Sequence, residues 1–144
     1  MKNSNFKYHG QCLCGEIQYE VREFSPRMGH CHCSMCRKFH GAAFATYGEV
    51  KRPDFHWIKG EATLSDFIAD NGTTRSFCKH CGSSLTFRAS NADNSIVELA
   101  LGTLDTPIPH QPDAHIFIAN KASWHTISDE LPQFQAGRTS RPLK

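Results

Sequence analysis

Residues 16–22 read EIQYEVR, with apolar Ile17, Tyr19 and Val21 set between polar neighbours. A period of two over that length predicts a half-buried β-strand. The same reading continues along the chain. Residues 42–50 are rich in Phe, Thr, Tyr and Val, and residues 55–58 form a short aromatic run. Residues 63–69 and 73–77 flank Asp70-Asn71-Gly72, and Asn-Gly between two such runs is a strong hairpin signal. Further strands are expected at 85–88, 95–101, 114–119 and 124–127. Only residues 34–40 suit a short helix. Pro107, Pro109 and Pro112 mark a loop rather than a boundary. The pattern predicts one mainly-β domain over residues 8–134, after a flexible N-terminus (1–7) and before a loosely held polar tail (135–144).

Composition supports a folded domain. The 144 residues are 39% hydrophobic and include ten Phe, a supply sufficient for a core. The opening MKNSNFKYHGQ has no apolar segment of the secretory type, and no run approaches a membrane-spanning length. A cytoplasmic protein is expected. The formal charge is +2, without a basic block, so no nucleic-acid partner and no membrane partner are expected.

The seven cysteines change the picture most. They fall into three clusters: Cys12 and Cys14; Cys31, Cys33 and Cys36; Cys78 and Cys81. An odd number in a reducing compartment argues against disulfides, and thiolates so closely spaced suit a soft metal ion. Seven thiolates with two Zn²⁺ would remove three charges and take the formal +2 to −1. Cys78-Lys79-His80-Cys81-Gly82 has the form of a zinc knuckle. It supplies two ligands, and Cys12 with Cys14 is the available two-ligand complement, although the middle cluster could pair with one of these instead. Cys31, Cys33 and Cys36 then form a three-ligand set. Its fourth ligand is water or substrate in an open site, or a histidine in a closed one. His30, His32 and His40 are near, and His32, lying between two ligands, is expected to point away from the metal. Three thiolates make zinc a poor activator of water but a good binder of a further thiol, which ionises on coordination. The chemistry expected is attack of a small thiol on a carbonyl carbon.

Three stretches carry a family resemblance. His9 to Ile17, HGQCLCGEI, resembles the G-x-C-x-C-G motif of the glutathione-dependent formaldehyde-activating enzyme family, which has a centromere-associated protein among its eukaryotic relatives. CHCSMCR, from Cys31 to Arg37, resembles its second motif, and FCKHCG, from Phe77 to Gly82, its third. The likeness extends through His115-Ile116-Phe117-Ile118 and Lys121-Ala122-Ser123-Trp124 to Leu131-Pro132-Gln133-Phe134, about residues 8–134 in all. It implies a β-tent fold of zinc-stabilised antiparallel sheets with two Zn²⁺ per chain. Cys12, Cys14, Cys78 and Cys81 are implied for the structural zinc, and Cys31, Cys33 and Cys36 for the catalytic one. The implied reaction joins the glutathione thiol to formaldehyde to give S-hydroxymethylglutathione, formally a carbon–sulfur lyase in reverse. Glutathione carries two carboxylates, and Arg37 and Lys38, beside the second cluster, are candidate contacts. Phe39 could line its pocket and His40 could assist proton transfer. Two other roles fit the same cysteines: a non-catalytic zinc-stabilised binding module, and a redox-sensing thiol cluster.

Overall fold

A computed structural model describes residues 5–143. The order of elements is β1 (Tyr8–Gln11), β2 (Gln18–Val21), β3 (Met28–Cys31), α1 (Ser34–His40), β4 (Ala45–Lys51), β5 (Phe55–Lys59), β6 (Leu64–Ile68), β7 (Thr74–Cys78), β8 (Ser84–Arg88), β9 (Ile96–Ala100) and β10 (Ala114–Ile116), with short 3-10 turns between. The fold is mostly β, its strands in two sheets. The chain divides into two compact units. One is Met1–Pro26 with Gly48–His110; the other is Arg27–Tyr47 with Gln111–Lys144. The chain passes from one to the other within β4. No helix among the described residues is long and apolar enough to cross a membrane.

In the first unit β1, β2 and β5 form a three-stranded antiparallel sheet. The alternation of Ile17, Tyr19 and Val21 is the core of this unit, for all three are fully buried. Tyr19 stacks on Phe55 with ring centroids 5.5 Å apart, and Trp57 meets it edge-on. Its hydroxyl shares a 2.6 Å hydrogen bond with Thr103 Oγ1, which satisfies the one polar atom that this ring takes inside. Glu20 departs from strict alternation. It is buried too, and its carboxylate accepts from His56 Nδ1 at 2.8 Å.

The same unit holds the antiparallel run β6-β7-β8-β9. The expected Asn-Gly hairpin joins β6 to β7, in a register that runs from Leu64 opposite Cys78 to Ile68 opposite Thr74. Asn71 Oδ1 accepts from the Thr73 amide at 3.1 Å and closes the turn.

In the second unit β3 and β10 pair in parallel, with His115 opposite His30 and Ile116 opposite Cys31. This pair is parallel, beside the antiparallel pairs of the other strands described above. Parallel partners cannot be joined by a tight turn, and most of the chain lies between these two. The strand expected at 114–119 stops at Ile116, because Phe117 has a φ of 59° and opens the 3-10 turn Ile118–Asn120. Residues 124–127 are not a strand; they run through turn and coil. Part of the tail is hydrogen-bonded among the described residues. The Phe117 amide donates to the Ala136 carbonyl and the Gln135 amide to that of Arg141.

Candidate metal centres

Cys12, Cys14, Cys78 and Cys81 lie together in the first unit, their sulfurs all within 4.8 Å of one another. Two local turns achieve this. After β7 the chain reverses at the knuckle, where the Gly82 amide donates to the Cys78 carbonyl at 2.7 Å and the Cys81 amide approaches Cys78 Sγ at 3.5 Å. Gly82 sits at a φ of 81°, a left-handed conformation that glycine adopts without strain. Before β2 the Cys12 amide donates to the Ile17 carbonyl, and the Ile17 amide returns to Cys12 Sγ at 3.3 Å. The Leu13 amide donates to Ser83 Oγ at 2.8 Å and links the two turns.

The distances suit a metal ion. Cys12 and Cys14 sulfurs stand 3.6 Å apart, and Cys14 and Cys78 3.8 Å. Four thiolates around zinc at about 2.3 Å lie about 3.8 Å from one another in a tetrahedron. The electrostatics agree. Although burial raises it, the Cys81 thiol is brought down to about 5 by hydrogen bonds from Ser83 and the neighbouring backbone. Cys14 is pushed up to about 12: a bond from the Glu16 backbone lowers it, but burial and the crowding of Cys12, Cys81 and Cys78 outweigh that bond. Four such groups ionise together only around a cation.

Cys31, Cys33 and Cys36 form a second group in the other unit, also within 4.8 Å. Cys31 ends β3, where the next amide, that of His32, donates to the Ile116 carbonyl at 2.9 Å. Cys33 is the N-cap of α1 and Cys36 lies three residues on, so both face the first turn. The Arg37 amide donates to the Cys33 carbonyl at 2.9 Å and closes that turn. Cys31 and Cys36 are buried, Cys33 partly so. The Cys31 thiol is raised by hydrogen bonding with Cys33 and Cys36 and by burial. This donor set, too, needs a cation to ionise, and it fits a metal ion with three sulfur ligands. No histidine joins the group among the described residues.

His32 turns instead to a partner that sequence reasoning missed. Its Nε2 lies 2.8 Å from His115 Nδ1, and His115 Nε2 lies 3.0 Å from a carboxylate oxygen of Asp129. His32 and His115 are both buried, and His32 Nδ1 has no partner among the described residues. His30 stands beside the chain, its ring centroid 4.8 Å from that of His115 and its Nδ1 2.7 Å from Thr46 Oγ1. Burial, with the neighbouring His115 ring adding to it, lowers both His30 and His32 to about 4. Phe44 packs against His30, His32 and His125. His115 falls in the motif-bearing C-terminal stretch, which was a usable signal; a lone Asp129 in a polar segment offered none.

The candidate thiol-side residues are placed as follows. Arg37 Nε donates to the Asn120 carbonyl at 3.1 Å, and Lys38 is exposed. His40 Nε2 lies 3.0 Å from the Tyr47 hydroxyl, and the Phe39 ring lies 6.0 Å from that of His40. The first unit also carries an open cavity of about 460 Å³, lined by Trp57, Asp66, Ser76, Thr86 and Arg88 among others.

The model of the family described as glutathione-dependent formaldehyde-activating enzyme matches residues 7–120. A Schizosaccharomyces pombe protein named as an uncharacterized lyase is 26% identical over 134 residues, covering 87% of this chain and 95% of the relative. A Halomonas elongata protein, provisionally named a glutathione-dependent formaldehyde-activating enzyme, is 27% identical over 125 residues, covering 82% and 79%. Among solved structures, a Rhodobacter sphaeroides protein superposes with a TM-score of 0.58 at 22% identity, over 70% of this chain and 91% of the other. That last likeness concerns the fold alone.

Proposed function

The chain is a member of the glutathione-dependent formaldehyde-activating enzyme family, and on that premise we propose that it is a zinc-dependent carbon–sulfur lyase-type enzyme. It joins a small thiol, glutathione or a close relative, to formaldehyde or another aldehyde. A sulfur–carbon bond forms, the carbonyl π bond breaks, and the thiol proton ends on the oxygen of an S-hydroxymethyl adduct. The observation that carries the reading is the three-cysteine group, which gains no fourth ligand among the described residues. Three protein ligands and an open position are the mark of catalytic zinc sites, whereas four close a structural one. Cys12, Cys14, Cys78 and Cys81 accordingly hold the structural Zn²⁺, and Cys31, Cys33 and Cys36 the catalytic one. A zinc ion bound there supplies the positive centre that favours the ionised, nucleophilic form of a substrate thiol.

The chain's own residues supply the rest. The turn from Cys33 to Cys36 is held by the Arg37 amide, which keeps two of the three sulfurs on one side of α1. Arg37 Nε donates to the Asn120 carbonyl, and Arg37 and the exposed Lys38 carry positive charge directly after Cys36 in the chain. That charge suits the carboxylates of glutathione. No disulfide joins the cysteines among the described residues, which leaves their sulfurs available as metal ligands.

Metal content and turnover test the reading together. The wild type should carry two zinc ions per chain, and Cys33→Ala one. Formaldehyde consumption with glutathione should exceed the spontaneous rate in the wild type and fall to that rate in the variant. A wild type that accelerates no thiol–aldehyde pair would sink the proposal.

A further inference from the structure

We propose that Asp129 and His115 are positioning residues of the three-cysteine site, which lock His32 in the tautomer that carries its proton on Nε2 and presents Nδ1 as an acceptor to a hydrogen-bond donor of the bound substrate. The tautomer lock stands on geometry alone; the substrate clause rests on the thiol–aldehyde reading above.

The direction of the chain follows from what each group can do. An ionised carboxylate only accepts, so the contact between Asp129 and His115 Nε2 requires the proton on Nε2. The hydrogen bond from His115 holds the Asp129 carboxyl below its usual range, in keeping with an ionised acceptor. In a neutral imidazole one nitrogen donates and the other accepts. His115 Nδ1 is then the acceptor, and across 2.8 Å the donor must be His32 Nε2. That leaves the lone pair on His32 Nδ1, within a residue with no exposed surface and with no partner among the described residues. A buried acceptor left unmatched is costly, and such groups concentrate where a ligand or chemistry supplies the partner. His32 lies between Cys31 and Cys33 in the chain, and the donor assigned to its buried Nδ1 is a protic group of what binds at that group.

The backbone fixes each link. Asp129 Oδ1 accepts from the Leu131 amide at 3.0 Å, which sets the carboxylate. The His115 amide donates to the Pro132 carbonyl at 2.8 Å, and the Phe134 amide to the His115 carbonyl at 2.9 Å. The His32 amide is tied to the Ile116 carbonyl at 2.9 Å. Asp129 itself stands at the surface, with nearly half of its side chain exposed. It can therefore be changed with little effect on the core.

Asp129→Asn should invert the chain. The asparagine amide can donate to His115 Nε2, which moves the His115 proton to Nδ1 and forces His32 to accept at Nε2. His32 then carries its proton on Nδ1, the atom that was to accept. The number of bound protons is unchanged; only their position moves. Nitrogen NMR of histidine-labelled, zinc-loaded protein at about pH 8, above the ordinary imidazole range of about 6.5, reads the tautomers. The wild type should show His32 protonated on Nε2 and the variant on Nδ1. In the same samples kcat for glutathione and formaldehyde should fall about 10- to 100-fold, as for other residues that orient a metal site's surroundings. KM, zinc content and melting temperature should hold, and Asp129→Glu should restore both tautomer and rate. The same His32 tautomer in wild type and Asp129→Asn overturns the lock. An inverted tautomer with unchanged kcat overturns its role in turnover. A wild type with no turnover but with the inversion upholds the lock and overturns the thiol–aldehyde reading instead.

Discussion

Replacing Gly60 by alanine should damage the first unit far more than its place in a short connection suggests. Gly60 follows β5 with a φ of 84°, a left-handed conformation that costs an L-residue about 1 kcal/mol or slightly more. A Cβ there would also meet the Glu16 carbonyl oxygen at 2.1 Å, and Glu16 C and Ile17 Cα each at 2.8 Å. All three are backbone atoms, so no rotamer change relieves the overlap. Forced overpacking of this kind costs about 1–3 kcal/mol. The two terms together make about 2–4 kcal/mol, a large share of the roughly 5–15 kcal/mol that holds a domain folded. The strain would fall on the segment whose Ile17 amide reaches Cys12 Sγ. Gly82→Ala is the matched control. It has a φ of 81° but nothing within 4 Å of its Cβ, so it carries the conformational term alone. Thermal unfolding followed by circular dichroism, with metal per chain measured alongside, separates the two. We expect Gly60→Ala to lose about 6–16 °C in Tm by the size scaling of unfolding entropy, and Gly82→Ala only a few degrees. Equal losses in the two variants would refute the steric argument.

Three further outcomes are expected. Cys78→Ala should unfold the protein and Cys33→Ala should not, because a structural zinc contributes on the order of 10 kcal/mol to folding whereas the three-cysteine site serves the reaction; circular dichroism and metal analysis check this, and a folded Cys78→Ala with a full metal complement would contradict it. Arg37→Ala should raise KM for glutathione about tenfold or less with kcat little changed, since it removes binding shared by ground and transition states; a fall in kcat alone would place Arg37 elsewhere in the mechanism. Tyr19 is raised by burial, with the Thr103 hydrogen bond lowering it in part and the nearby Asp105 charge adding to the rise, so the fold favours its neutral form. That contribution is complete below the unfolded value of about 10 and is lost as pH climbs from there through the higher folded value. Tyr19→Phe should be less stable by about 1 kcal/mol at neutral pH yet lose less than the wild type between pH 9 and 11. Parallel losses in urea midpoint would show that Tyr19 does not govern the alkaline limb.

Much of this protein was legible from residue order alone, because the informative features are local. The alternation of Ile17, Tyr19 and Val21, the Asn71-Gly72 turn and the helix opening at Ser34 depend on near neighbours, and the structure places all three where the pattern did. The cysteine clusters were legible for the same reason: ligands two or three residues apart must converge on one turn. What was hidden depended on distant partners. β1 contains Gly10, a poor strand residue, but a Cβ at that position would sit 2.2 Å from the Tyr19 hydroxyl, a requirement that appears only when β1 lies against β2. β3 reads Met28-Gly29-His30-Cys31 and becomes a strand by pairing with β10, which follows it by most of the chain. The chain from Asp129 through His115 to His32 likewise joins residues far apart in sequence. Chemistry carried by adjacent residues is written in sequence, whereas hydrogen bonds between residues some eighty positions apart come into being only when parallel pairing sets His115 opposite His30 and beside His32.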